Sequence, residues 1–288
     1  MSDLFGPAVA DAVARLDPAQ PALASLGSGS KGNGTVVQIG GERLLVDCGF
    51  GLKATTQRLA RLGLRPGDLS AILVSHEHSD HVHGVTMLAQ KFDIPVYASH
   101  GTLKATRGKL YGNAFNSDQP FSINAVEVLP VTVPHDAREP TQFVFRADGL
   151  AIGVLSDLGH VTPHVVHHYR NLQGLLLEAN HDRDLLSQGR YPGSVKRRVG
   201  GDLGHLANEQ ALAMLAEIAH PGLNVVLGHI SAENNDMSLL RDLFEPLRER
   251  LFALGYASQA EGHDWTTIAN EVAAAVTPPS LAEAASAL

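Results

Sequence analysis

The chain has 288 residues, of which 44% are hydrophobic, and this is enough to build a substantial buried core. Its single cysteine, Cys48, excludes a disulfide framework, and its formal net charge of -8 disfavours broad attraction to nucleic acid. No stretch approaches the roughly 18 apolar residues of a membrane span, and the amino terminus does not resemble an export signal. We therefore expect a cytoplasmic protein that does not enter a membrane, and its oligomeric state stays open.

Three regions are predicted along the chain. Residues 1–20 form an extension with a short amphipathic helix over about residues 7–17, because Val9, Val13 and Leu16 recur at helical spacing. Residues 21–270 form the main domain, since no linker divides them. Residues 271–288 are rich in alanine and form a C-terminal tail.

Short apolar runs alternate with helical patterns in the main domain. Early strands are predicted at 23–26, 36–39 and 44–46, and Asp148-Gly149 predicts a β-hairpin between two later strands. The predicted helices cover about residues 53–62, 82–91, 207–217 and 236–253. This alternation is typical of a layered α/β domain.

A histidine or an aspartate follows four of the apolar runs. AILVS precedes His76, VLPVTVP precedes His135, AIGVLS precedes Asp157 and NVVLG precedes His229. Strand ends in layered α/β proteins gather at one crevice, so these side chains are expected to meet there. Further polar residues near strand ends are Asp47, Glu178 and His181.

The segment SHEHSDH, which follows AILV, carries three histidines and two carboxylates. His76 and His78 are two residues apart and can face the same way in an extended strand exit, whereas Asp80 and His81 fall where a helix begins. One segment can therefore serve two neighbouring ions. Any single histidine is more simply a solvated or packing residue, and only the recurrence at several strand ends favours a metal site.

Seven residues form the predicted metal site, and a carboxylate such as Asp157 can bridge two ions. They are His76, His78, Asp80, His81, His135, Asp157 and His229. Because all their donors are nitrogen or oxygen, two divalent ions of zinc, manganese or iron are the expected cofactors. Two ions about 3.5–4 Å apart lower the pKa of a bridging water, so the expected chemistry is hydrolysis.

The segment HEHSDH resembles the HxHxDH signature of the metallo-β-lactamase superfamily of metal-dependent hydrolases. The resemblance implies a four-layer αβ/βα sandwich with a dinuclear site at one edge. It also implies a ligand assignment. His76, His78 and His135 would bind the first ion, Asp80, His81 and His229 the second, and Asp157 would bridge them.

Further segments, from LGSGSKGN to LGHISAENN, resemble the YycJ/WalJ branch over about residues 22–235. That resemblance implies cleavage of phosphodiester bonds in DNA, with 5′ to 3′ exonuclease activity. Asp80 would orient the nucleophile, a hydroxide bridging the ions, and His205 or His181 would assist the departing oxygen.

Other residues are candidates for substrate binding. Ser30 and Asn33 belong to the glycine-rich GSGSKGNG, which is either an anion-binding turn or a plain connection between strands. Lys196 lies in the basic run KRR, which is either a phosphate contact or a solvated face. His181 and His205 either contact the substrate or hold loops together by hydrogen bonds.

Three functions remain open from the sequence. The preferred one is a dinuclear hydrolase of phosphodiester bonds in DNA. The second keeps the same site but acts on a small molecule such as a cyclic phosphate, a lactone or a thioester. The third is a metal-binding protein without turnover, which the complete set of ligands disfavours.

Overall fold

The structure is a computed structural model and describes residues 15–269. The predicted tail at 271–288 lies outside the described residues. So does nearly all of the helix predicted for 7–17, and residues 15–17, which are described, are not helical. Both terminal regions therefore stay predictions.

The described chain alternates strands with mostly short helices. The strands are β1 (Ala22–Gly27), β2 (Gly34–Ile39), β3 (Glu42–Val46), β4 (Ala71–Val74), β5 (Val96–Ser99), β6 (Asn113–Phe115), β7 (Phe121–Ile123), β8 (Val126–Thr132), β9 (Thr141–Ala147), β10 (Leu150–Leu155), β11 (Gly174–Glu178), β12 (Asn224–Gly228), β13 (Ala253–Tyr256) and β14 (His263–Thr267). The α-helices are α1 (Leu52–Arg61), α2 (Ser79–Val82), α3 (Val85–Phe92), α4 (His100–Ala105), α5 (Pro163–Tyr169), α6 (Arg183–Gln188), α7 (Gly193–Val199), α8 (Asn208–Ile218) and α9 (Met237–Phe244). Two 3-10 helices span Pro66–Asp68 and Glu245–Arg250.

The strands form two seven-stranded sheets. The first has the order β14-β1-β2-β3-β4-β5-β6, and the second has the order β13-β12-β11-β10-β9-β8-β7. Strands β3 to β6 run parallel, and so do β10 to β13, whereas β8, β9 and β10 alternate in direction. Strands β8, β10, β11 and β12 therefore all end at the same edge of the second sheet.

Three apolar cores separate four layers. One core lies between the two sheets and includes Phe143, one lies between the first sheet and helices α1 and α3 and includes Leu59, and one lies between the second sheet and helices α5, α8 and α9 and includes Phe244. Because both faces of each sheet are covered, the central strands are buried along their whole length. The predicted αβ/βα sandwich is confirmed.

The early strands and the hairpin are where the sequence predicts them. The hairpin turns at Asp148 and Gly149, which have φ angles of 53° and 76°, and Ala147 pairs with Leu150 beside the turn. Two positive φ angles are what a two-residue hairpin turn requires, and aspartate and glycine adopt them at low cost.

Two helix predictions are wrong in detail. The helix predicted for 82–91 is two helices, because the backbone N–H of Gly84 donates to the carbonyl of Cys48 at 2.7 Å between them. A Cβ on Gly84 would lie 1.9 Å from the Phe50 carbonyl oxygen, so only glycine permits this contact. The break places the end of α2 against the loop that follows β3.

The helix predicted for 236–253 ends at Phe244. Pro246 follows, and proline lacks the N–H that would continue the α-helix, so the chain passes into the 3-10 helix. The predicted helix even includes the first residue of β13, which pairs with β12 in parallel. Among the described residues, no helix has the length and apolar character needed to cross a bilayer.

Candidate metal centre

A first trio of histidines gathers where β4 and β8 end. His135 Nε2 lies 3.4 Å from His78 Nδ1, and the His76 ring centroid is 4.6 Å from that of His78 and 4.9 Å from that of His135. His76 Nε2 is buried and has no hydrogen-bond partner. An unpaired buried imidazole nitrogen is costly, and a metal ion in the middle of the trio would satisfy it. The residues present therefore fit a metal ion.

A second trio, Asp80, His81 and His229, faces the first. His81 Nε2 lies 3.5 Å from an oxygen of Asp80. Asp157 stands between the trios, with one carboxylate oxygen 3.4 Å from His81 Nε2 and the other 4.0 Å from His135 Nε2. The structure thus brings all seven predicted ligands together and places the Asp157 carboxylate between the two trios.

Three residues that follow strands at this edge have a left-handed backbone conformation. Asp47, Asp157 and His229 have φ angles of 61°, 55° and 51°. A residue other than glycine pays roughly 1–2 kcal/mol for this conformation, and such strain concentrates at functional sites. The conformation turns each side chain toward the shared edge of the two sheets.

Asp47 orients the ligands of the first sheet. One of its oxygens accepts hydrogen bonds from His81 Nδ1 at 2.8 Å and from the Ser75 hydroxyl at 2.7 Å, while the other accepts from the Ser75 backbone N–H at 2.8 Å. The Ser75 hydroxyl also lies 2.9 Å from His76 Nδ1. With Nδ1 engaged in this way, both histidines present Nε2 to the metal centre.

Glu178, the last residue of β11, orients two histidines at the edge of the second sheet. Its Oε1 accepts from Nδ1 of His205 at 2.8 Å and from Nδ1 of His229 at 2.7 Å. Its Oε2 accepts from the backbone N–H groups of Leu206 and Leu158. Burial raises the pKa of Glu178, but the two histidines outweigh burial and lower it to about 2. The ionised carboxylate therefore holds the rings of His205 and His229 by Nδ1, so that Nε2 of each ring points away from Glu178.

The centre is rich in buried charge. Burial raises the pKa of Asp157, but the neighbouring His229 and His81 outweigh burial and hold it well below the ordinary value. Burial likewise opposes charge on His229, yet Asp157 and Glu178 raise its pKa to about 9. The carboxylates at the centre are thus ionised and require cations beside them.

The other candidates from the sequence occupy different positions. His205 is 21% exposed in its side chain and its ring centroid lies 4.9 Å from that of His229, at the mouth of the centre. His181 is 2% exposed, and burial lowers its pKa to about 4, so it is a neutral interior group. Asn33 is buried, and its amide nitrogen lies 3.3 Å from Asp80 and 3.1 Å from His81. Ser30 is exposed in the same loop.

Within the basic run, Arg198 is closer to the centre than Lys196. Lys196 Nζ donates to the Ser187 carbonyl at 2.6 Å, which directs it toward α6. Arg198 Nε donates to Asp136 at 2.5 Å, and Asp136 lies 3.4 Å from His135 Nε2. The sequence placed Arg198 in the run, but it contained no signal for which of the three cations lies beside the predicted metal site.

Comparisons with known proteins agree with this geometry. The family model described as beta-lactamase superfamily domain matches residues 42–230. The exodeoxyribonuclease YycJ of Bacillus anthracis is 37% identical over 249 residues, which are 83% of this chain and 94% of the relative. The exodeoxyribonuclease WalJ of Streptococcus pneumoniae serotype 2 (strain D39) is 37% identical over 219 residues, which are 73% of this chain and 81% of the relative.

Solved structures share the fold. The metallo-beta-lactamase fold protein YhfI from Bacillus subtilis has a TM-score of 0.67 at 17% identity, over 86% of this chain and 100% of its own. The Zn(2+)-bound PqqB from Methylobacterium extorquens has a TM-score of 0.66 at 17% identity, over 86% of this chain and 99% of its own. The chain therefore belongs to the beta-lactamase superfamily, and within it to the branch that contains YycJ and WalJ.

Proposed function

We propose that this protein is a metal-dependent phosphodiesterase that removes nucleotides from an end of DNA. The observation that carries the proposal is the pair of ligand trios joined by the Asp157 carboxylate. The names of the relatives, both exodeoxyribonucleases, support DNA as the substrate.

We propose that the centre holds two divalent ions, one in each trio, with Asp157 contacting both. Every donor is nitrogen or oxygen, which suits zinc, manganese or iron. Cys48 supplies no ligand, because it is fully buried with its Sγ 3.3 Å from the Thr55 hydroxyl. Such a pair of ions, when bound, lowers the pKa of water and offsets the charge that develops on phosphoryl oxygens.

His205 is the proposed proton donor to the departing oxygen. Its Nδ1–H donates to Glu178, so Nε2 is the atom that would carry the proton to the substrate. By accepting from Nδ1–H, the buried Glu178 carboxylate holds the ring so that Nε2 can give a proton to the departing oxygen. On the opposite side, Asp80 is held by Asn33 and would accept a hydrogen bond from the attacking water.

Arg198 is the proposed contact to the phosphate. Its side chain is 61% exposed, and the bonds from Nε and Nη2 to Asp136 leave the Nη1 hydrogens and one Nη2 hydrogen free beside the first trio. A guanidinium binds two oxygens of a phosphate at once, which a lysine cannot do. Asp136 would fix the orientation of Arg198 before the substrate arrives.

The exposed side of the centre carries His205, whose side chain is 21% exposed, and Arg198, whose side chain is 61% exposed. A substrate would approach the centre from that side.

An activity panel tests the proposal. The purified protein, loaded in turn with Mn²⁺, Zn²⁺ and Fe²⁺, would be offered single-stranded and duplex DNA with 5′-phosphates, bis(4-nitrophenyl) phosphate, a cyclic phosphate, a lactone and a β-lactam. We expect cleavage of DNA and of the aryl phosphodiester, and loss of both in Asp157→Ala but not in Asp242→Ala, which changes an exposed aspartate on α9. Turnover of the lactone or the cyclic phosphate without cleavage of DNA would contradict the proposal.

A further inference from the structure

A groove of about 610 Å³ runs along the outer side of α2 and α3. We name it the α2 groove. Glu77 and Ser79 line one end, Arg107 and Lys109 line the other, and Val82 and Leu110 also line it. None of these six residues belongs to the seven predicted ligands.

The α2 groove and the metal centre share one segment as a border. His76, His78 and Asp80 turn toward the centre, and the residues between them, Glu77 and Ser79, line the groove. The groove therefore lies next to the centre, on the other side of this segment, within reach of a polymer bound at the centre.

The far end of the groove is positive in an acidic protein. Arg107 and Lys109 are exposed, and neither is paired with a carboxylate of residues 15–269. The stretch 94–117 contains no aspartate or glutamate, although the chain has 30. Exposed cations without a carboxylate partner favour an anionic ligand such as a row of phosphates.

The metal end has a different chemistry. Glu77 accepts a hydrogen bond from the Arg138 backbone N–H at 2.8 Å, and its other carboxylate oxygen is buried without a partner. A carboxylate repels phosphate but accepts from a base amino group or a sugar hydroxyl. Phosphate contacts therefore belong to Arg107 and Lys109.

An aromatic ring stands at the positive end. Tyr111 is 74% exposed and directly follows Leu110, and its hydroxyl lies 3.5 Å from the position that a Cβ on Gly108 would take. The ring is thus beside the turn that carries Arg107 and Lys109. An exposed ring next to cations is the arrangement on which unpaired bases stack, and bases inside a duplex are not free to do so.

We propose that the α2 groove binds the single-stranded DNA segment adjoining the bond that is cleaved, with phosphates on Arg107 and Lys109 and a base on Tyr111. This inference rests on the proposed function and adds the path of the strand. It predicts that affinity for a DNA strand, but not the reaction at the metals, depends on residues far from the ligands.

Binding is the first test, and it does not depend on turnover. Fluorescence anisotropy with a labelled single-stranded ten-nucleotide DNA, in EDTA, would compare the full-length wild type with Arg107→Ala/Lys109→Ala. We expect about tenfold weaker binding and a salt dependence of log K that is shallower by about 1.4, since each phosphate contact on a single strand contributes about 0.7. Lys53→Ala/Lys91→Ala is the matched control, because it removes two exposed lysines that do not line the groove.

Stacking and strandedness are tested in the same assay. Tyr111→Ala should weaken binding of the single strand several-fold, whereas Tyr111→Phe should retain it, because a phenyl ring also stacks. Wild-type affinity in both Arg107→Ala/Lys109→Ala and Tyr111→Ala would overturn the inference. Equal weakening by the Lys53→Ala/Lys91→Ala control would also overturn it, because the effect would then be one of net charge.

Turnover separates this inference from the proposed function. With metal restored, Arg107→Ala/Lys109→Ala should raise KM for DNA about tenfold and leave hydrolysis of bis(4-nitrophenyl) phosphate unchanged. If the wild type cleaves both substrates and the variant matches it on both, the groove assignment fails while the phosphodiesterase stands. If the wild type cleaves neither substrate but the variant binds DNA more weakly than the wild type does, the proposed function fails while the groove assignment stands.

Discussion

The two sheets each supply half of the metal centre, and they do so differently. The first sheet contributes one short segment after β4, with His76, His78, Asp80 and His81. The second sheet contributes single residues from separate strand ends, namely His135, Asp157 and His229. The first half is compact in sequence and is visible as a motif, whereas the second exists only once β8, β10 and β12 end at one edge.

Each half also has its own buried carboxylate. Asp47 contacts His81 and, through Ser75, His76, all of which lie within the metal centre. Glu178 contacts one predicted ligand, His229, and one residue outside the predicted ligand set, His205. From this comparison we infer that Asp47 supports the predicted ligands of the first sheet, whereas Glu178 connects a predicted ligand with the proposed proton donor.

The sharpest test of this difference is Glu178→Gln. The amide cannot stabilise a charged His205, so the loss should be greatest for substrates whose leaving oxygen needs a proton. We expect kcat to fall about 10²-fold or more for DNA. For bis(4-nitrophenyl) phosphate, whose leaving group departs as an anion, we expect kcat to fall only about tenfold. His205→Ala should show the same pattern. Equal losses on the two substrates would contradict the role of Glu178 in proton donation.

Asp47→Asn is the matching change in the other half. The substitution weakens the hydrogen bond that orients His81. Loss of such a contact to a metal ligand lowers metal affinity by about 10–100-fold. We expect DNA and the aryl ester to lose activity by the same factor, and excess Mn²⁺ to restore both. Metal titrations followed by activity measure this, and a loss confined to DNA would break the distinction from Glu178.

Arg198→Ala tests the proposed phosphate contact beside His135, which the second sheet contributes. Lys196→Ala is its control. Because Arg198 stands beside the first trio and Lys196 is directed toward α6, only the first change should matter. We expect KM for DNA to rise about tenfold in Arg198→Ala and less than twofold in Lys196→Ala. The opposite order would show that Lys196, the residue chosen from the sequence, is the phosphate contact.

The smallest effect is expected from His181, which is buried near Glu178. Its pKa falls from 6.5 to about 4 on folding, so between these values the unfolded chain binds a proton that the folded chain does not. Stability should therefore fall as pH decreases from 6.5 toward 4, by about 1–3 kcal/mol for this group. Urea unfolding in EDTA at pH 4.5 to 7 should show a weaker acid dependence in His181→Gln, and parallel curves would contradict this.

Much of the fold could be predicted because its signals are local. The strands β1 to β3 and the hairpin at Asp148-Gly149 follow from apolar runs and turn residues, and the structure confirms them. The helix predicted for 236–253 was wrong although the local signal, Pro246, was present. The split at Gly84 was not predictable, because its partner Cys48 comes from a distant loop.

The same division holds at the site. The sequence alone determined which residues follow strands, and the strand ends together with the HxHxDH signature were enough to select seven side chains that the structure places together. Their role as ligands stays a prediction, which metal analysis of Asp157→Ala tests. What only the tertiary structure decided is the direction of side chains: that Arg198 lies beside the predicted metal site, that Glu178 accepts hydrogen bonds from two histidines, and that His181 is buried. Side-chain direction depends on how neighbouring elements pack, and no spacing along the chain contains that information.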